Sequence, residues 1–371
     1  MTKTGKKRMR IGILSMQRVP NYGSFLQAYG LKHTLESLGH EVVFIDYKEG
    51  RPAVAYDKKA RILYCIREIP AIRFCNDWIK YNVLGNKLFD YEYRLLYLKQ
   101  LGIGYRKKYH TGVDVAIIGS DEVFNCLQAG FNVGFSPMLF GQDIHAKRII
   151  SYAASFGYSD LEGLRKYGIS EKVATYLNTF SDISVRDNNS RMIVTNLIHK
   201  IPELNLDPVL ISEFEVPEIR IPYQDYVILY TYKTRGYSEA DKKSIIDFCV
   251  RNHKTLISIG STQEWVNNKK IEVSPLELLA YVKQADFIIT DTFHGTVFSI
   301  KYNRPFATLI RDNNKQKLGD LLHRLKKEDR RIRSFSDLQV IYEEPVDFHE
   351  TNVVIASERE RTLNYLRRNL S

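Results

Sequence analysis

The chain has 371 residues, 54 Lys and Arg against 43 Asp and Glu, a formal net charge of +11, and 44% hydrophobic residues. That length and apolar content suit two ordinary globular domains with cores of their own and exclude a disordered or fibrous chain. The basic N-terminus is followed by an apolar run that stops at Gln17 and Arg18, and no apolar stretch reaches 18 residues, so neither a signal peptide nor a membrane span is expected.

The chain opens with a basic tail over residues 1–9. Arg10 to Met16 then reads as a strand, the loop Gln17 to Tyr22 follows, and Gly23 to Leu38 carries an apolar stripe of helical spacing that Gly39 ends. A second strand at Glu41 to Asp46 completes a β-loop-α-β unit. Its loop, Asn21, Tyr22, Gly23 and Ser24, lacks the glycines of a dinucleotide fingerprint, and spacing alone leaves it open between a ligand-facing turn and an ordinary helix cap.

Residues from about 52 to 105 turn aromatic and basic and read as a helical insertion over the first sheet. Val113 to Gly119 is a buried strand that delivers Ser120, Asp121, Glu122 and Asn125 at its C-terminal end. Asp121 is either a helix cap or a carboxylate facing a ligand. Arg148 to Ala154 is the next strand, then two helical stretches lead to Ile183–Val185, which ends at Arg186 and Asp187. A guanidinium at a strand end can aim at an anion or pair with its neighbour. The N-terminal α/β domain therefore spans 10–210, and Pro217 to Pro222 reads as a linker.

After it the pattern restarts over 222–345, with strands at Tyr226–Tyr230 and Leu256–Gly260, a helix at Ala240–Val250, and another that opens Ser274-Pro275. Ala285 to Ile310 is strand, turn, helix, strand, with His294 in the turn, where Gly295 permits tight geometry. In an open α/β sheet this is the end at which ligands bind. The bland alternative is that Asp291 or Thr292 caps the helix and His294 bonds to a loop. A C-terminal helix over 355–371 is expected to pack back on the first domain.

Cys65, Cys75, Cys126 and Cys249 form no CxxC pair, which argues against a zinc cluster and for a reducing, cytoplasmic setting. The positive charge implies an anionic partner. Nucleic acid is not expected, because no reading module is recognisable. Basic segments at Lys3 to Arg10, Arg106 to Lys108 and His323 to Arg333 suit peripheral attraction to anionic lipid at the inner membrane face. No HExxH, GxSxG or Walker A motif occurs, so metal hydrolysis, serine hydrolysis and P-loop chemistry are set aside and no metal is expected. What remains is a cleft lined by Asp121, Arg186, His294 and Arg311, a set able to hold a polyanion while one histidine handles a proton.

The ordered set NYGSFLQAYGLKHTLESLGHEV, IIGSDEVFN, ISYAASFG, ISVRDNNS, LDPVL and ADFIITDTFHGTVFSIKYNRPF resembles the polysaccharide pyruvyl transferase family, from about Arg10 to about Leu325. The resemblance implies two Rossmann-like domains facing across a cleft, a glycosyltransferase-B-like α/β fold with the acceptor on the N-terminal side. It also implies transfer of the pyruvyl group of phosphoenolpyruvate, a co-substrate with no other cofactor, to sugar hydroxyls of a cell-surface polysaccharide or its lipid-linked oligosaccharide precursor. On that pattern His294 is the acid, while Arg186 and Arg311 meet the donor's anionic groups and Asp121 engages the acceptor hydroxyl. Thr292, Gly295, Thr296 and Arg304 fall on the donor side, and Asn21, Tyr22, Gly23, Ser24 and Asn125 on the acceptor side. The chain departs from the pattern at Thr292, where many members carry arginine, and at Glu122 and Phe124, where Gln and Trp are frequent. Arg304 or Arg311 would replace the missing guanidinium, and the change at Glu122 and Phe124 would bear on acceptor choice. A nucleotide-sugar glycosyltransferase of the same architecture and a non-catalytic glycan- or lipid-binding protein are the alternatives.

Overall fold

The computed structural model describes residues 8–54, 92–128, 133–232, 235–260, 263–266, 270–311 and 314–371. The core of the proposed aromatic insertion, residues 55–91, and most of the basic tail lie outside the described residues. Two six-stranded sheets account for the strands among the described residues, and every pairing in both is parallel.

The N-terminal sheet is built from β1 (Arg10–Leu14), β2 (Glu41–Phe44), β3 (Val113–Asp121), β4 (Ala146–Ala154), β5 (Ser184–Val185) and β6 (Glu203–Leu204), in the order β2-β1-β3-β4-β5-β6. The C-terminal sheet comprises β7 (Tyr226–Tyr230), β8 (Thr255–Ile259), β9 (Lys270–Ile271), β10 (Phe287–Thr290), β11 (Phe306–Leu309) and β12 (Arg331–Ile332), ordered β12-β11-β10-β7-β8-β9. Central strands such as YVILY and FIIT are buried at every position, as a parallel sheet covered on both faces requires. These are two Rossmann-like domains.

The helices that matter for the site are α1 (Tyr22–Ser37), α2 (Asn188–Ile198), α3 (Pro208–Ile211), α4 (Pro275–Gln284), α5 (Phe293–Lys301), α6 (Lys315–Arg324) and α7 (His349–Asn369). Their starts follow from local chemistry. Asn21 caps α1 through its side-chain oxygen, Asp187 caps α2, and Asp207 caps α3 with Pro208 at the first position. Ser274 and Glu277 form a reciprocal capping box on α4, again with Pro275 at the start.

Each half has a hydrophobic cluster of its own, and a third runs through both. Leu26 and Leu31 of α1, Val209 to Ile211 of α3, Leu279 of α4, Phe298 of α5 and Leu366 of α7 belong to a single cluster. Polar ties cross the same boundary: the Tyr22 hydroxyl donates to the Val273 carbonyl at 2.7 Å, Lys301 Nζ donates to the Ser212 carbonyl at 2.5 Å, and Lys317 of α6 pairs with Glu122. Helix α7 is longer than its amphipathic end suggests. It starts at His349, where Thr351 donates to the Leu325 carbonyl in the C-terminal domain. It ends against the N-terminal sheet, where the Tyr365 hydroxyl donates to Ser151 and Arg368 pairs with Asp182 and Glu203.

Candidate active site

The C-terminal ends of the strands in both sheets converge. From the N-terminal domain come the loop after β1, Asp121 at the end of β3, Arg186 just after β5 and Asp207 soon after β6. From the other come Thr231 after β7, Asp291 to His294 after β10 and Arg311 after β11. In open α/β sheets this is where ligands bind.

His294 is the second residue of α5. The expected helix starts earlier than its apolar spacing suggests: Thr292 is the cap, accepting from the Gly295 N–H at 3.0 Å, and Phe293 is already helical. Gly295 is thus not a turn residue. It is needed because a Cβ there would lie 2.2 Å from Thr290 Oγ1, so the first turn can sit tightly on β10. With Gly295 satisfied by the cap, the N–H groups of Phe293 and His294 have no acceptor within the helix, and such first-turn donors favour anions.

The imidazole is buried between the domains. One edge faces α1, where a Cβ on Gly23 would come within 2.1 Å of Nδ1. The other edge points at Asp207, with Nε2 and Oδ2 separated by 3.7 Å, too far for a hydrogen bond, and Nε2 has no bonding partner. Asp207 uses its two oxygens differently. Oδ1 accepts from the Val209 N–H at 3.0 Å to cap α3, while Oδ2 accepts from Arg186 Nη1 at 2.8 Å. Burial penalises this carboxylate, yet the facing imidazole and Arg186 outweigh that and hold its pKa below the usual range.

Arg186 is also buried, with its guanidinium stacked on Phe293 at 4.1 Å from the ring centroid. Its Nη2 stands 3.6 Å from Asp121, which in turn accepts from the Ser24 hydroxyl at 3.1 Å. Burial lowers the Arg186 pKa, but Asp121, then Asp207, reverse the effect, so the net shift is upward. The result is a chain running Ser24, Asp121, Arg186, Asp207, His294. Arg186 does not pair with adjacent Asp187, which caps α2 and accepts from the Ser155 hydroxyl at 2.6 Å. Nor is it an open anion hook as the resemblance implies, because two of its nitrogens face protein carboxylates.

Beside the helix start is a second cluster. Asp291, fully buried, accepts from Arg311 Nε at 2.7 Å and from the Thr231 hydroxyl at 2.8 Å, and Arg235 Nε lies 3.5 Å away. Two partly exposed guanidiniums thus stand against one buried carboxylate. Arg235 was not singled out from the sequence, since it stands five residues beyond β7 with no strand-end pattern to mark it. Asp207 was visible only as the Asp of LDPVL, where an Asp before Pro signals a cap and not a partner for His294.

Several expected positions lie elsewhere. Arg304 lies three residues past the end of α5, beyond the roughly 10 Å of helix that separates His294 from Lys301, and its Nε donates to the Tyr302 carbonyl. It cannot replace a guanidinium at the helix start. The Thr296 hydroxyl donates to the Thr292 carbonyl and pairs with Thr308 inside the core, which leaves it no ligand role. Asn21 is the α1 cap and the Tyr22 hydroxyl binds Val273, while Gly23 and Ser24 of the acceptor loop touch the His294–Asp121 chain. Asn125 is buried, donating to Glu122 at 2.7 Å and accepting from Ser159 at 2.8 Å. Phe124 stacks on Phe140 at 4.9 Å in the core, so it has no direct hand in acceptor choice. Glu122 pairs with Lys317; burial acts against its charge, but Lys317 prevails and lowers its pKa to about 2.

A family model for polysaccharide pyruvyl transferases matches residues 21–313, which include every residue of this chain of contacts. The chain belongs to the polysaccharide pyruvyl transferase family. This pyruvyl transferase family member is a transferase by that membership. No curated protein sequence matches it. Among solved structures it is similar to the glycotransferase of kitacinnamycin, with TM-score 0.49 and 12% identity, over 98% of this chain and 100% of that one. It is also similar to the spinosyn rhamnosyltransferase, with TM-score 0.47 and 10% identity over 97% and 99%. A third is the UDP-GlcNAc 2-epimerase of Methanocaldococcus jannaschii, with TM-score 0.46 and 11% identity over 97% and 100%. Among the described residues, no helix of the pyruvyl transferase family member is long and apolar enough to cross a membrane.

Proposed function

We propose that this protein transfers the pyruvyl group of phosphoenolpyruvate to two hydroxyls of one sugar, on a cell-surface polysaccharide or its lipid-linked precursor, and forms a ketal. The observation that carries the reading is the cross-domain chain of contacts. A histidine of the C-terminal domain faces a buried carboxylate of the N-terminal domain, and both stand beside a cationic cluster at a helix start.

The chemistry accounts for every atom. A proton added to the methylene carbon of the donor makes a methyl group and an oxocarbenium-like centre at C2. One sugar hydroxyl adds there and loses its proton. Phosphate then leaves with the C2–O bond pair, and the second hydroxyl closes the ketal and releases a second proton. Of the two protons released, one balances that taken up by the carbon and the other leaves with phosphate. His294 supplies the first proton. Asp121, hydrogen-bonded to Ser24, receives the acceptor's proton. Arg186 is a positioning residue that holds Asp121 and Asp207. Arg311 and Arg235 meet the donor's phosphate and carboxylate together with the free N–H groups of α5, a geometry suited to planar anions. Phosphoenolpyruvate is a soluble metabolite, so the reading carries with it a cytoplasmic site of action.

The test is incubation with phosphoenolpyruvate and lipid-linked oligosaccharides, followed by mass spectrometry for the pyruvyl increment and by phosphate assay. Phosphate release that depends on the acceptor, together with the added mass, is expected. Stabilisation against heat by UDP- or GDP-sugars but not by phosphoenolpyruvate would reassign the site to glycosyl transfer.

A further inference from the structure

Among the described residues strand β2 is an edge of the N-terminal sheet, and a cavity of about 380 Å³ runs along it, bounded on the other side by residues 99–108. Six cations line it: Arg10, Arg18, Lys32, Lys99, Arg106 and Lys108. Three of them are matched by carboxylates, Arg10 by Glu41 at 3.1 Å, Arg18 by Asp46 at 2.5 Å and Lys32 by Glu36 at 2.6 Å. Lys99, Arg106 and Lys108 have no carboxylate at ion-pair distance among the described residues, so the cavity carries three uncompensated positive charges.

The backbone adds to this. The ladder between β1 and β2 uses the N–H groups of Glu41 and Ile45, and by the alternation of a strand those of Val42 and Phe44, both lining residues, point outward into the cavity. The rim combines charge with an apolar ring. Tyr105, 79% exposed, precedes Arg106, Lys107 and Lys108, and an aromatic beside a basic run is the pattern of a segment seated at a lipid–water interface. None of these groups takes part in the site around His294.

We propose that this groove is a docking site for an anionic phospholipid surface: a head-group phosphate enters between Lys99, Arg106 and Lys108, and Tyr105 sits among the head groups. The inference stands apart from pyruvyl transfer, because it concerns binding and is read without donor or acceptor.

The experiment is sedimentation of the full chain with vesicles of phosphatidylcholine alone and of an equimolar mixture with phosphatidylglycerol. The protein is expected to bind the anionic vesicles only, and less so as salt is raised. The Lys99→Ala/Arg106→Ala/Lys108→Ala variant is expected to lose about 100-fold in partition coefficient, with Tyr105→Ser losing less. A control removing three exposed cations elsewhere, Arg165→Ala/Lys200→Ala/Arg251→Ala, should lose far less. The single Lys108→Glu exchange gives the same reading should the triple variant fold poorly. Equal losses in the two triple variants, or no binding of the parent protein to anionic vesicles, overturn the proposal. So does a rise in melting temperature with inorganic pyrophosphate that Lys108→Glu abolishes in the absence of vesicle binding, since the groove would then serve a soluble phosphate.

Discussion

Gly23→Ala isolates the contact between α1 and His294. The backbone at Gly23 has an ordinary helical conformation, and alanine is the better helix former, so an isolated α1 would gain from the change. The protein should lose instead. The new Cβ falls 2.1 Å from Nδ1 and 2.2 Å from Cγ of His294, against about 3.5 Å for a relaxed contact, so ring and helix must part by about 1.4 Å. The ring has no room to yield. Phe293 and Phe298 pack on it with centroids 5.4 and 6.0 Å away, and Asp207 closes the far edge. Overpacking of this kind costs about 1–3 kcal/mol, and a shift of that size at a reacting group costs about 100-fold in turnover. Urea unfolding gives the first quantity and phosphate release from phosphoenolpyruvate the second. Gly319→Ala, on α6 with open space around it, is the matched control and should be neutral or stabilising. Adding His294→Ala to Gly23→Ala should restore stability relative to Gly23→Ala alone, because the clash is gone. A Gly23→Ala protein that unfolds and turns over like its parent would refute the packing described here.

The Lys317–Glu122 pair should make stability pH-dependent with a defined sign. The folded pKa of Glu122, about 2, lies below its unfolded value of about 4.3, so the pair's contribution is complete above about pH 4.3 and is lost as pH falls through about 2. Lys317→Ala should therefore cost up to about 3 kcal/mol at neutral pH, and urea titrations should find that difference shrinking with acid; a constant difference would contradict the assignment. Arg311→Ala and Arg235→Ala should each raise the KM for phosphoenolpyruvate about 10- to 100-fold, whereas Arg304→Ala, at the far end of α5, should leave it unchanged in the same steady-state assay. Asp207→Asn removes a buried charge that compensates Arg186, and should cost about 3–5 kcal/mol in stability, read as a lowered urea midpoint; an unaltered midpoint would show that the pair is not formed.

What the sequence made legible was whatever local pattern controls. The run Tyr226–Tyr230 is a strand at the predicted bounds because a continuous apolar run of five residues has few alternatives in a parallel sheet. Ser274-Pro275 marks the start of α4 for the reasons of cap and fixed φ already given. The two-residue strands β6, β9 and β12 were invisible, since pairing with a neighbour, not composition, makes them strands. The site divides in the same way. His294 could be placed at a helix start from its flanks alone. That it faces Asp207, 87 positions earlier, is decided by how α3 docks beneath α5, and no local signal carries that information. Arg186 shows the converse. Its position at a strand end was readable, but its partners come from β3 and the loop before α3, so its apparent freedom to bind an anion disappears in the fold.

Helix α7 has a consequence for anyone exchanging halves of such proteins. At 21 residues it is a rod about 32 Å long, rooted beside α6 by Thr351 and sealed against β4 by Tyr365. The N-terminal domain is therefore discontinuous in sequence. A chimera joined once, in the linker near residue 220, would give the N-terminal sheet a foreign closing helix, with mismatched partners for Asp182 and Glu203. Two junctions are required, the second between Glu344 and Phe348, so that the native helix returns to the sheet it covers.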